Sequence, residues 1–173
     1  MRIFILVLLI ISGGIIGGIY GAIYDQITFS ISPEFFTKFR FPLYKIDTAS
    51  ERWGAAIVGF LNASKTGLII GLILSLCGLI TKDYKKMFKY TMQAFFITLL
   101  LAFLIGMIGY SVSRLDGQRL PDPDLNIQDV VAFRTVENMN NFSYAGGVIG
   151  MFIGIFFQVY RHKKMKLKEE GAL

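Results

Sequence analysis

RWGAAIVGFLNASKTGLIIGLILSLCGLI, residues 52–80, is apolar and longer than the roughly 20 helical residues needed to cross the hydrocarbon core of a bilayer. It carries one charge deep inside, Lys65. Ala55, Gly59, Ala63, Gly67, Gly71 and Ser75 recur at every fourth position, which puts them on one helical face. Apolar side chains gain little by leaving lipid tails for one another, so helices in a membrane associate by close packing, and a face of small residues permits close backbone approach. The stretch reads as one packed helix of a polytopic membrane protein.

Three more runs of spanning length lie on either side of it. The expected spans are 3–23, 54–80, 90–110 and 142–160, with outer loops at 24–53 and 111–141 and a tail at 161–173. The fold class is therefore an all-α membrane protein in a single membrane domain. It is a four-helix transmembrane bundle with two extracytoplasmic loops that contain short interfacial helices. Gly13, Gly17 and Gly21 repeat at four in the first run and are expected to face the second span. Ala94, Thr98, Ala102 and Gly106 do the same in the third, and Gly146, Gly150 and Gly154 in the fourth. The short turn around 81–89 predicts that spans two and three are antiparallel neighbours. The first run also has a rival reading as a signal peptide, but it is longer than a signal core of roughly 7–15 residues and lacks a small-x-small cleavage site, so an uncleaved span is expected.

A net charge of +6 invites a nucleic-acid reading, which the distribution of charge rejects. With these spans, the side holding both termini and the 81–89 turn has ten Lys/Arg against three Asp/Glu, and the other has seven against nine. Basic loops face the cytoplasm. The expectation is a bacterial inner-membrane protein with N- and C-termini cytoplasmic, its basic side against anionic lipid headgroups, and no nucleic acid partner.

Cys77 is the only cysteine and His162 the only histidine. No intrachain disulfide and no cysteine cluster can form, and no histidine lies within a span. No metal, no cofactor and no catalytic residues are expected. Two near-motifs fail for stated reasons. Gly59 to Thr66 approaches a phosphate-binding loop but has Ser64 where the second glycine belongs, and membrane on both flanks. Asp122, Asp124 and Asn126 match the start of a calcium loop, but Ile127 replaces the turn glycine and Phe133 the bidentate glutamate.

The first outer loop is aromatic throughout. Ile27, Phe29 and Ile31 alternate with polar residues and suggest a short extended piece. Ser32-Pro33-Glu34 reads as N-cap, first-turn proline and first-turn acid, opening a short interfacial helix through about Phe39. In the second loop Asp116-Gly117 marks a turn and Pro121 and Pro123 break any helix. Asp124 or Asn126 is expected to cap a helix from about Ile127 to Asn138.

Tyr24-Asp25-Gln26-Ile27-Thr28, Ser32 to Phe39 (SPEFFTKF) and Asn141 to Gly147 (NFSYAGG) together resemble a family of small four-span bacterial inner-membrane proteins with no established function. The resemblance implies the four-span fold and a membrane, and no activity. Members of that family carry histidine before the Asp-Gln and before the Asn-Phe-Ser, where this chain has Tyr24 and Asn140; a metal held by such histidines is not expected here.

Lys65 is the main functional candidate. A charge near mid-bilayer costs at least about 2.5–3.5 kcal/mol, and no Asp or Glu lies within a span to offset it. In one account the side chain snorkels outward, with Asn62, Ser64 and Thr66 helping to solvate it. In the other, a wet pocket formed with Asp25, Gln26, Glu34 and Asn62 lets Lys65 meet Asp25 or Glu34. Gln93, near the inner end of span three, is expected to hydrogen-bond between helices. The leading expectation is a non-enzymatic protein of structural or interaction type, a partner or assembly subunit or a homo-oligomer in the lipid bilayer. The alternative is a small transport or sensing protein with its polar pocket around Lys65.

Overall fold

The computed structural model describes residues 2–113 and 126–169. All regular structure among them is helical: α1 (Arg2–Ile31), a π-helical turn (Phe35–Arg40), α2 (Phe41–Tyr44), α3 (Glu51–Gly78), α4 (Tyr84–Ser113) and α5 (Val130–Glu169). α1, α3, α4 and α5 are long and apolar enough to cross a membrane. Helix is the form such segments must take in lipid, since only there is every backbone group satisfied within the segment.

The helices outrun the spans. α1 has 30 residues and α5 has 40, so at about 1.5 Å per residue they reach roughly 45 and 60 Å, against a hydrocarbon core of about 30 Å. The extended piece expected at Ile27–Ile31 is helix instead. The alternation on the apolar side is overruled by a buried set, Gly21, Tyr24, Asp25, Thr28 and Phe29, spaced at three and four. Pro33, which cannot donate to the ladder and disfavours helix in the residue before it, ends α1. Ser32 Oγ then accepts the Phe35 amide at 3.4 Å. The following helical segment runs beyond Phe39 to Tyr44, and Lys45 stops it in the left-handed region at φ 52°, with Ile46 N–H bonded to Phe41 O at 3.0 Å.

The fourth span and the loop helix before it are one uninterrupted helix. No glycine or proline falls between Val130 and Ala145 to break it. Its cap is Asp129, three residues beyond Asn126: Asp129 Oδ1 accepts the Ala132 amide at 2.9 Å. Asp116-Gly117, Pro121, Asp122, Pro123 and Asp124 lie outside the described residues.

Packing divides the bundle into two antiparallel pairs, α1 on α3 and α4 on α5, with much sparser contact between pairs. The turn-linked helices α3 and α4 touch, but neither is the other's main partner. The reason is where small residues face each other. A Cβ placed on Gly13 would lie 2.8 Å from Gly67 O, on Gly17 2.9 Å from Ala63 O, and on Gly21 2.2 Å from Gly59 O. In the second pair, a Cβ on Gly146 would lie 2.7 Å from Leu101 O, on Gly150 2.7 Å from Thr98 Cα, and on Gly154 3.1 Å from Ala94 O. Leu74, Ala94 and Phe95, flanked by Ile16, Ile70 and Leu99, fill the space between pairs. At the end away from the termini, Phe29, Phe35, Phe36, Phe41, Ala55, Val58, Phe133 and Val136 form a separate core, the cap.

Candidate functional site

The polar side chains gather where the glycine-packed shaft meets the cap. Proline-terminated α1 turns the chain back through the π-helical turn, which brings Arg40 over the rings of Phe35 and Phe39 at 5.2 and 5.8 Å. From there the guanidinium acts electrostatically on Asp25 of α1 and on the Tyr144 hydroxyl of α5. Asp25 is 9% exposed, and its carboxylate makes no hydrogen bond among the described residues. Its Cβ is pressed against α3, since a Cβ on Gly59 would lie 2.9 Å from it. Asn62 Nδ2 donates to the Tyr144 hydroxyl across the α3–α5 seam. Lys65, one turn further along α3, is exposed and carries its ammonium toward the cap, 5.5 Å from the centre of the Tyr44 ring.

Behind this layer stands a tyrosine pair. Tyr20 and Tyr24 stack at 5.6 Å; the Tyr20 hydroxyl lies 3.0 Å from Ser143 Oγ, and the Tyr24 hydroxyl donates to Met139 O at 3.0 Å. Gly106 is what admits Tyr24, because a Cβ there would lie 2.4 Å from the phenol oxygen.

The five expected pocket residues are thus divided. Asn62 and Lys65 share a face of α3, and Asp25 lies behind it with Arg40 as its cation. Gln26 points elsewhere, with its Nε2 on Arg52 O at 2.8 Å. Glu34 is committed to the cap: it accepts the Gln128 and Asp129 amides at 3.1 and 2.9 Å and pairs with Lys38 at 2.7 Å. Those amides and the Lys38 ammonium hold the Glu34 carboxyl down, from the usual 4.5 to about 2. It therefore fastens the start of α5 to the turn after α1 and is not Lys65's counter-ion. Ser64 faces away from Lys65, toward α1, where a Cβ on Gly18 would lie 2.3 Å from its Oγ. Gln93 Oε1 is buried without a partner among the described residues, and the bonding expected of it is made by Gln158, to Leu74 O at 3.2 Å and with the Thr91 hydroxyl at 3.3 Å.

Sequence reasoning missed Arg40, Tyr144 and Gln158. The one available signal for Arg40 was a cation embedded in an aromatic run, FTKFRF. No group of three His, Cys, Asp or Glu that could hold a metal occurs among the described residues. The arrangement can hold an anion between two cations and hydrogen-bonding phenol and amide groups, and it keeps one carboxylate out of water nearby.

Four apolar helices packed in this way are compatible with a multi-pass helical membrane protein. No protein family matches the chain, and no curated protein or solved structure is detectably similar to it.

Proposed function

We propose that the chain is an integral protein of the bacterial inner membrane, of structural or interaction type, with both termini and the 79–83 turn cytoplasmic and the aromatic cap outside. The uneven distribution of Lys and Arg supports that orientation, and the basic side then meets anionic lipid headgroups. One observation carries the rest. The glycine faces are consumed inside the chain, α1 against α3 and α4 against α5, and they hold a rigid shaft on which a separately packed cap is displayed. A protein partner or second copy must then engage the cap or the lipid-facing side chains. Purification in a mild detergent is expected to recover the protein with a partner or self-associated; a monodisperse monomer with no partner overturns the reading. Orientation is checked in a Cys77→Ser background with Lys45→Cys or Lys85→Cys. An impermeant maleimide is expected to label the first in intact spheroplasts and the second only after permeabilisation.

A second reading, a small transport or sensing protein, is favoured by a specific observation: among the described residues, Asp25 is buried without a hydrogen bond and has Arg40 as its cation, and Lys65 on the next helix has no carboxylate in ion-pair contact. An intramembrane ionisable group is a functional candidate by default. If Lys65→Met leaves growth and solute flux unchanged, that reading fails.

A further inference from the structure

Beside Trp53, the chain's single tryptophan, the α1–α3 pair leaves a hollow of about 480 Å³. Small-molecule sites commonly measure roughly 300–1,000 Å³. The hollow exists because small residues continue off the glycine face. Gly21 and Gly59 draw the two backbones together, and half-buried Ala22 and Ala56 next to that contact leave space that longer side chains would fill. Ile23 and Trp53, 60% and 70% exposed, also line it, so it opens on the flank of the bundle and not into the core.

Its two ends differ in chemistry. At the end nearer the cap, Gln26 Nε2 donates to Arg52 O at 2.8 Å and ties α1 to the first turn of α3. The Arg52 guanidinium lies 5.3 Å from the centre of the Phe29 ring and donates to Ser30 Oγ at 3.2 Å. It is in ion-pair contact with no carboxylate among the described residues. A guanidinium has five N–H donors in a planar fork that suits phosphate oxygens, and Ser30 takes only one of them. At the other end the lining is Ala22, Ile23 and Ala56, with no polar side chain. Below it Ile15, Ile19 and Ile23, at every fourth position of α1, are each at least half exposed. The expected spans begin or end at residues 23 and 54, so the edge of the hydrocarbon crosses the hollow, at the level where an indole ring is favoured. A lone guanidinium above the edge and an apolar recess below it match one class of occupant, a lipid with a phosphate in its head.

We infer that this hollow binds one glycerophospholipid, its phosphate on Arg52, a headgroup N–H or O–H on Gln26 Oε1, and its glycerol and first acyl carbons against Ala22, Ala56 and the Trp53 indole. The site uses nothing from the Lys65–Arg40–Tyr144 layer. It goes beyond the structural reading by naming a ligand, and a protein partner on the cap leaves it open.

The test reads Trp53 fluorescence in the full chain, purified in mild detergent and stripped of lipid. The probe is phosphatidylethanolamine brominated on an acyl chain, whose bromines quench an adjacent indole. Quenching is expected to saturate at one lipid per chain and to be reversed by unbrominated phosphatidylethanolamine. Arg52→Gln is expected to raise the half-saturating concentration about tenfold, since hydrogen bonds to a charged group are lost. Ala22→Leu fills the recess without touching a charge and is expected to weaken binding at least as much, with helicity and melting midpoint retained. The two variants act at opposite ends of the hollow, so either one carries the test if the other does not fold. Lys163→Gln/Lys164→Gln in the tail is expected to leave the curve unchanged. Quenching that rises linearly with lipid and is the same in wild type and both variants overturns the proposal, since it reports bulk lipid alone. So does equal half-saturation by a brominated diacylglycerol, which has no phosphate, or displacement of the lipid by millimolar inorganic phosphate, which would make the ligand a free anion. An unquenched Trp53 in a chain that light scattering shows to be dimeric would assign the hollow to a second copy and overturns it too. The structural reading fails separately: a partnerless monomer that still binds lipid sinks that reading alone, and loss of saturable quenching with partner recovery intact sinks only the lipid site.

Discussion

Across the α1–α3 contact, a single added carbon on Gly21 would sit 2.2 Å from a backbone oxygen; in the cap, Phe35 and Phe133 meet ring to ring at 5.2 Å between centroids. The shaft is held by the absence of side chains and the cap by their size. The contrast follows from solvent. Between lipid-exposed helices there is no hydrophobic gain to collect, so association depends on bringing backbones together. Most of the cap comes from residues outside the apolar spans, and in the proposed orientation the large aromatic residues there gain by leaving water, each burying about 150–250 Å². One chain thus uses two packing rules, and the boundary between them is where its unpaired charges collect.

Breaking the shaft should have the largest effect. Gly21→Leu drives a branched side chain into Gly59 backbone that cannot move aside, and the folded monomer is expected to be lost from size-exclusion profiles. Breaking the cap should be costly but local. Phe36 is fully buried, and Phe36→Ala is expected to cost about 3–5 kcal/mol, read as faster hydrogen exchange over 32–46 with the shaft still protected. Exchange rising equally in α3 and α4 would show that the two regions are one cooperative unit. A finer cut is Gly146→Ala, whose new methyl meets Leu101 O; about 1–3 kcal/mol is expected from overpacking, measured by thermal unfolding in detergent.

The Glu34 fastening should give a smaller, pH-dependent effect. Its carboxyl titrates at about 2 in the folded chain against 4.5 ordinarily, so the unfolded chain binds the proton first as pH falls. Its stabilisation is complete above 4.5 and lost as pH drops toward 2. Wild type should therefore lose melting midpoint between pH 5 and pH 2.5 by more than Glu34→Gln does; parallel curves would remove Glu34 from the account. Smallest of all is Gly147→Ala, expected to change stability by less than about 0.5 kcal/mol because its methyl makes only ordinary contact, with Ile70 Cδ1 at 3.9 Å.

The four long helices were legible because spanning length and small residues at every fourth position are direct physical requirements of the fold. Their ends were not. Asp25 and Thr28 are polar yet buried, so a hydropathy reading of 24–31 saw alternation where burial follows the helical period. Asp124 or Asn126 was the expected cap, and only the Ala132 amide shows that Asp129 begins α5. The candidate site was half legible. Lys65 stood out as a lone charge, and Asn62 as its neighbour on one face. Arg40 is 15 positions from Asp25 along the chain and comes near it only through the reversal at Pro33, which no local pattern encodes. Glu34 had the right charge to answer Lys65, but two backbone amides at a helix start claim it first.

α5 runs as one hydrogen-bonded rod from Val130, beside the cap, to Glu169 in the basic tail. Such a rod is a lever. At about 60 Å, a tilt of about 10° at the end anchored by Glu34 displaces the far end by about 10 Å, with no joint along the way to absorb it. Whatever seats itself on the cap is thereby mechanically connected to a cluster of lysines at the other end of the molecule.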